Sequence, residues 1–245
     1  MHRRSLLSAA SMLAVPAARP LAVVIPEPVD LLLVLAVDTS SSIDRDVARL
    51  QREGHCAALC DPSVIALVRS GPCGAIGLTY VEWSGVAHQR LVLPWTRIAS
   101  LPDATAWSEA LARKPLLSLG GTSIAGGIDF ARRVLSDAPW PAERRVIDVS
   151  GDGLNNGSLP VEAARDRAVA ENITINGIAV GDGATDIGSV SPPGELEDHY
   201  RNAVVGGPGA FVVTAEDFGG FGAALRRKLR REIAEVSPLC VGRSS

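Results

Sequence analysis

The chain has 245 residues, 47% of them hydrophobic and 21% charged, with 24 Gly, 16 Pro and 4% aromatic residues. That profile excludes a disordered, collagenous or heptad-repeat protein and fits one globular α/β domain, long enough to fold without disulfide support. The formal charge is −3, or −5 once Arg3 and Arg4 leave with a cleaved leader, and a mildly acidic body argues against nucleic acid as the main partner.

The amino terminus reads as an export signal. Met1-His2-Arg3-Arg4 is a basic start, Leu6 to Val15 is a short apolar run, and Ala17-Ala18 supplies small residues for cleavage. A signal peptide over residues 1–18 and a periplasmic or secreted destination are expected. The pair Arg3-Arg4 before Ser5-Leu6-Leu7 also permits twin-arginine export. The apolar run falls short of the ~20 residues that cross a bilayer, so no transmembrane segment is expected in the mature chain.

After the leader, strand-like and helix-like segments alternate. Leu31 to Val37 is continuously apolar, as a central parallel strand buried on both faces should be. Asp44 to Leu59 has helical spacing. Ala75 to Trp83 and His88 to Trp95 are strand-like and joined at Ser84-Gly85, which suggests a hairpin at one sheet edge. Asp103 to Arg113 and Ser123 to Leu135 read as helices, Arg145 to Val149 as a strand, Pro160 to Glu171 as a helix and Ile173 to Val180 as a strand. Gly181 to Gly209 is irregular apart from a short helix near Glu195 to Ala203. A short strand at Ala210 to Thr214 and a long basic-faced helix from Glu216 to Val236 close the domain. Strands separated by helices imply βαβ units and a mostly parallel sheet covered on both faces.

The four cysteines admit two readings. Cys56, Cys60 and Cys73 cluster and Cys240 stands apart, without a C-x-x-C or an accompanying histidine pair, which argues against a zinc site. Cys56 and Cys60 lie one helical turn apart, a poor geometry for a bridge, so Cys60–Cys73 is the better local pairing. Small buried thiols are the alternative.

In an open parallel sheet ligands bind at the carboxyl ends of the strands. The first strand runs into Asp38-Thr39-Ser40-Ser41-Ser42, and the strand ending at Val149 runs into Ser150-Gly151-Asp152-Gly153-Leu154-Asn155-Asn156. Between them, Gly120-Gly121-Thr122-Ser123 enters a helix. Asp38, Ser40 and Ser42 alternate, Thr122 adds a hydroxyl and Asp152 a second carboxylate. An all-oxygen set suits a hard cation, Mg²⁺ or Mn²⁺ ahead of Ca²⁺, rather than Zn²⁺. Taken singly, Asp38 and Ser42 also fit as helix caps, Thr122 as a cap before Ile124, and Asp152-Gly153 as a turn.

The trio D-x-S-x-S, G-G-T and S-G-D-G, in that order, resembles a von Willebrand factor A (vWA) domain with an intact metal-ion-dependent adhesion site (MIDAS). Tyr80-Val81-Glu82-Trp83 and the run from Val149 to Asn156 further resemble an uncharacterised family of exported bacterial single-domain members of that fold. The resemblance implies a three-layer Rossmann-like α/β fold over residues 29–236, with a mostly parallel sheet, one antiparallel edge strand and a tail at residues 237–245. It implies that Ser40 and Ser42 coordinate a metal directly, that Asp38 and Asp152 act directly or through water, and that Thr122 changes between the two. It also implies a non-enzymatic module that binds an Asp or Glu carboxylate of a protein partner. One departure stands out: Gly151 precedes Asp152 where many vWA domains have Ser or Thr.

Two other functions compete with this one. Gly121-Thr122-Ser123-Ile124-Ala125 approaches the G-x-S-x-G of an α/β-hydrolase, with Asp152 or Asp182 and His199 following in triad order. The fifth position is Ala125, however, and Lys114 to Leu119 with its Pro115 reads poorly as the strand before a nucleophile. His199 reads as an exposed helix residue, and His55 and His88 as surface or core-edge residues. Gly151 to Gly157 misses the spacing of a dinucleotide loop and would set Asp152 against the phosphates.

Overall fold

The computed structural model describes residues 26–117, 120–181 and 194–234. The expected leader, Leu119, Asp182, Cys240 and the tail lie outside those residues.

Six strands form one sheet: β1 (Leu31–Asp38), β2 (Ile76–Trp83), β3 (Gln89–Ile98), β4 (Arg144–Gly151), β5 (Thr174–Val180) and β6 (Val212–Ala215). Their order is β3-β2-β1-β4-β5-β6, parallel throughout except for β3, which pairs antiparallel with β2 at one edge. The expected hairpin and antiparallel edge are therefore present. β1 is paired on both sides and all eight of its residues are buried, which accounts for its unbroken apolar run.

Alternation along β1 assigns its two faces. Leu31, Leu33, Leu35 and Val37 enter the core shared with α1 (Arg45–Leu59), α2 (Pro62–Ser70), α3 (Leu101–Ala112) and α7 (Phe218–Ala234). Leu32, Val34 and Ala36 enter the opposite core, under α4 (Ile124–Ser136), α5 (Val161–Ala170) and α6 (Glu195–His199), which continues into a π-helical turn at Tyr200–Val204. This is the three-layer α/β architecture expected.

Three local features depart from expectation. The helix α2 was not foreseen: α1 ends at Leu59, Asp61 accepts from the Ser63 amide at 2.9 Å, and Pro62 opens the new helix almost without a connection. Cys56 and Cys60 are free thiols and Cys73 is disulfide-bonded, so the Cys60–Cys73 pairing is corrected. His55 is 2% exposed and lies within the core rather than at the surface or core edge: its ring lies 5.2 Å from both Tyr80 and Phe221, and burial lowers its pKa to about 4. His88 is exposed, as expected, and His199 is half-buried rather than exposed.

A buried polar cluster crosses the lower half of the sheet. Lys228 of α7, fully buried, lies 2.7 Å from Asp148 of β4 and pairs with Glu232, which accepts from Asn176 of β5 at 2.8 Å. Burial raises the Asp148 pKa, Lys228 opposes the rise and Glu232 adds to it. The cluster joins α7 to β4 and β5 through buried polar contacts.

Candidate metal site

The chain leaves β1 toward β2 and β3 on one side, and β4 to β6 occupy the other, so the sheet reverses its winding between β1 and β4. A crevice at the carboxyl ends of strands is expected at such a reversal. Val37 pairs with Ser150, which sets Asp38 level with Gly151. Two of the three motif segments therefore meet by register alone.

Asp38 is fully buried. Its Oδ1 accepts from the Ser40 amide at 2.7 Å, and its Oδ2 has no hydrogen-bond partner. Burial, then the negative charge of Asp152, push its pKa up to about 8, against the smaller opposing effect of Ser40. The Ser40 and Ser42 hydroxyls are 3.1 Å apart, and the Ser42 hydroxyl donates to Asp152 Oδ1 at 2.9 Å. Asp38, Ser40, Ser42 and Asp152 thus form one hydrogen-bonded chain across the switch point.

None of these side chains caps α1. That role belongs to Asp44, whose Oδ1 accepts from the amides of Asp46 and Val47 at 2.8 Å each. Likewise Ser123, not Thr122, caps α4, its hydroxyl accepting from the Gly126 amide at 3.2 Å. The capping alternatives for Asp38, Ser42 and Thr122 are therefore filled by their neighbours.

Thr122 is held by its backbone. Its amide donates to Asn156 Oδ1 at 2.7 Å, and its carbonyl accepts from the Asn156 and Gly157 amides at 2.9 and 3.1 Å. Asn155 Oδ1 accepts from the Ile124 amide at 3.0 Å. A Cβ on Gly153 would lie 3.8 Å from Thr122 Oγ1, so this hydroxyl borders the turn that carries Asp152. On the other side the loop touches the β2–β3 turn backbone to backbone. The Ser123 amide donates to the Ser84 carbonyl at 2.7 Å, and a Cβ on Gly85 would meet the Gly120 carbonyl at 2.8 Å. Gly121, at φ +87°, takes a conformation that other residues rarely adopt.

Behind that loop lies a support that the motifs do not reveal. Glu82, 3% exposed, accepts from Arg52 and Arg90 at 2.6 Å each. The same guanidinium groups donate to backbone carbonyls of the segment entering the loop: Arg52 to Lys114 and Pro115, and Arg90 to Pro115 at 2.8 Å. Glu82 aims both arginines, and the arginines hold the approach to Thr122.

Tyr200 belongs to the site without any motif to mark it. It is fully buried, its hydroxyl has no hydrogen-bond partner, and its pKa is raised by burial and then by Asp38 and Asp152. A Cβ on Gly151 would lie 2.8 Å from that hydroxyl and 3.0 Å from Asp38 Oδ2. The space of the Ser or Thr expected before Asp152 is thus closed by a tyrosine from the other end of the chain. Tyr200 lies in the short helical stretch expected near Glu195 to Ala203, but nothing in its spacing points to Gly151.

The hydrolase alternative finds little support in the geometry. Ser123 is fully buried as a cap, and His199 packs beside Tyr200 with Glu162 and Glu195 as its charged neighbours. Among the described residues no three His, Cys, Asp or Glu side chains cluster to hold a metal, so a cation at the switch point would need hydroxyl ligands as well as carboxylates. The orphaned Asp38 oxygen and the adjacent hydroxyls fit such a donor set.

Solved structures share the fold. A von Willebrand factor type A protein from Catenulispora acidiphila superposes with a TM-score of 0.58 at 18% identity, covering 84% of this chain and 43% of its own. Proximal thread matrix protein 1 from the mussel byssus, with a zinc-occupied MIDAS motif, gives 0.58 at 18% identity, covering 84% and 48%. The vWF domain of the type V pili tip protein Mfa5 from Porphyromonas gingivalis gives 0.56 at 14% identity, covering 83% and 95%. The chain spans under half of the first two proteins. No curated protein matches the sequence. Residues 28–237 match the family described as "Protein of unknown function (DUF1194)", and the chain belongs to that family, on a vWA fold.

Proposed function

We propose that the protein is an exported, non-enzymatic vWA module that binds an acidic group of a protein partner through a divalent cation at the switch point. The observation that carries this reading is the buried, unpartnered Oδ2 of Asp38, beside the chain Ser40–Ser42–Asp152. A buried carboxylate without compensation is costly, and a cation is the natural compensation. Asp38, Ser40, Ser42, Thr122 and Asp152 would hold it. The bound ion would supply positive charge and an open position for a hard oxygen donor.

The chain's own groups set the terms. Asp38 and Asp152 bring at most two negative charges, and the three hydroxyls bring none. A partner carboxylate is therefore the fitting further ligand. The acidic body disfavours long-range attraction of such a partner, so selectivity falls to the surrounding loops, Ser41 to Asp44, Leu119 to Ser123, and Asp152 to Ser158. Oxygen donors rank Mg²⁺ and Mn²⁺ first, and the zinc in the mussel protein's motif places Zn²⁺ in the same assay. Periplasmic or secreted placement rests on the basic and apolar leader; among the described residues no helix is long and apolar enough to cross a membrane.

The test is capture from a periplasmic extract with and without EDTA. A partner retained with Mg²⁺ or Mn²⁺, released by EDTA and lost with Ser42→Ala or Thr122→Ala is the expected result. A partner indifferent to EDTA and to Thr122→Ala would place the binding surface elsewhere.

A further inference from the structure

Away from the switch point, α1 carries a pair of thiols that the adhesion-type reading does not use. Cys56 and Cys60 are one turn apart, the Cys60 amide donating to the Cys56 carbonyl at 3.1 Å. Both are free and partly exposed at the contact of α1 with α3. Their sulfurs converge on one residue of α3: Cys56 Sγ lies 3.6 Å from the Ser108 carbonyl oxygen and Cys60 Sγ 3.4 Å from the Ser108 hydroxyl.

Helix geometry decides what this pair can do. Residues four apart on a helix have Cβ atoms about 5–6 Å apart. A disulfide requires Cβ atoms about 3.5–4.5 Å apart, so the two cannot be oxidised to one without unwinding the turn. Cys73 is already disulfide-bonded and does not compete as a thiol partner. Two metal–sulfur bonds of roughly 2.3 Å each span a longer gap than an S–S bond and suit this spacing.

The surroundings choose the metal. His55 turns away, its Nδ1 on the Gln51 carbonyl at 2.8 Å and its ring against Tyr80 and Phe221. Among the described residues no further His, Cys, Asp or Glu completes a three-ligand group here. Two thiolates without a third His, Cys, Asp or Glu ligand among the described residues favour a soft ion that accepts two ligands, and disfavour Zn²⁺, which takes four.

We propose that Cys56 and Cys60 form a two-sulfur binding site for copper(I), independent of the site at Asp38. Binding is a ligand exchange without redox change: one Cu⁺ forms two Cu–S bonds, both thiols release their protons, and the complex carries one net negative charge. Burial raises the Cys56 thiol above its usual pKa, and the Arg52 guanidinium, one turn earlier, is among the smaller opposing effects. Copper(I) must therefore displace a proton that burial holds on the Cys56 thiol.

The test uses the full chain with its disulfide intact, titrated anaerobically with Cu(I) supplied as its acetonitrile complex against a competing copper(I) chelator, and read by native mass spectrometry. One Cu(I) per chain is expected, falling to none in Cys56→Ser and in Cys60→Ser. Retention of the ion by the double variant, or no copper bound by wild type in the presence of the chelator, would overturn the proposal. X-ray absorption at the copper edge of the loaded wild-type protein does not depend on any variant folding. Two sulfur neighbours are expected, and a nitrogen or oxygen shell would refute the site.

Discussion

Replacing Asp38 by Asn removes a buried charge while keeping the side-chain shape, and the effect should depend on pH in one direction. In the folded protein without metal the Asp38 pKa is raised from 3.8 to about 8. Between those values the folded state binds a proton that the unfolded state does not, so stability contributed by this group is fully present below pH 4. It is lost as pH rises through 8. Four pKa units at 1.36 kcal/mol each give an upper bound on the order of 5 kcal/mol. For a domain of this size that corresponds to roughly 10–20 °C in Tm. The assay is thermal or urea unfolding of wild type and Asp38→Asn in EDTA from pH 5 to pH 9. Titrations common to both proteins, such as those of Asp148 and His55, cancel in the difference, which isolates Asp38 and its coupling to Asp152. Asp38→Asn should become progressively more stable than wild type as pH rises, and a cation should abolish most of the gap by neutralising Asp38. Parallel curves across that range would refute the argument that Asp38 is an uncompensated buried carboxylate.

Four further outcomes are expected. Glu82→Gln strands two arginines, one of them buried, and should cost on the order of 3 kcal/mol in urea unfolding while weakening the response to Mg²⁺; a change under about 1 kcal/mol would remove Glu82 from the support of the loop. Gly151→Ala should cost about 1–3 kcal/mol through overpacking against Tyr200 and Asp38. Tyr200→Phe, which deletes a buried hydroxyl without a partner, should leave stability unchanged or raised and should reduce the cost of Gly151→Ala; strictly additive effects would contradict the contact. A fluorophosphonate probe should leave Ser123 unlabelled, and a stoichiometric adduct there would restore the hydrolase reading.

The parts of the fold legible in the sequence are those where one local signal suffices. The apolar run Leu31 to Val37 announced a central strand, and Ser84-Gly85 between two strand-like runs announced the antiparallel edge. The residues Asp38, Ser40, Ser42 and Asp152, each placed after a strand end in the sequence, come together because parallel register sets Val37 opposite Ser150. What escaped were pairings between distant segments. Tyr200 reaches Gly151 from a short helix nearly fifty residues on, and Glu82 acts through Arg52 and Arg90 on carbonyls 32 and 33 residues further on. Lys228 sat on a basic-faced helix that gave no sign of burying it against Asp148. Asp61-Pro62 is a capping signal for α2, but it follows α1 so closely that spacing alone does not announce a second helix.

The central claim, a divalent cation at the switch point, is tested most directly by Mn²⁺ titration of metal-free protein, with bound ion counted by electron paramagnetic resonance. One Mn²⁺ per chain is predicted, displaced by Mg²⁺ and lost in Asp38→Ala and Ser42→Ala. Excess ion should raise the unfolding free energy of wild type by RT ln(1 + [L]/Kd), about 2.7 kcal/mol at a hundredfold excess over Kd. Free Mn²⁺ alone at millimolar concentration, with an unmoved unfolding curve, would contradict it.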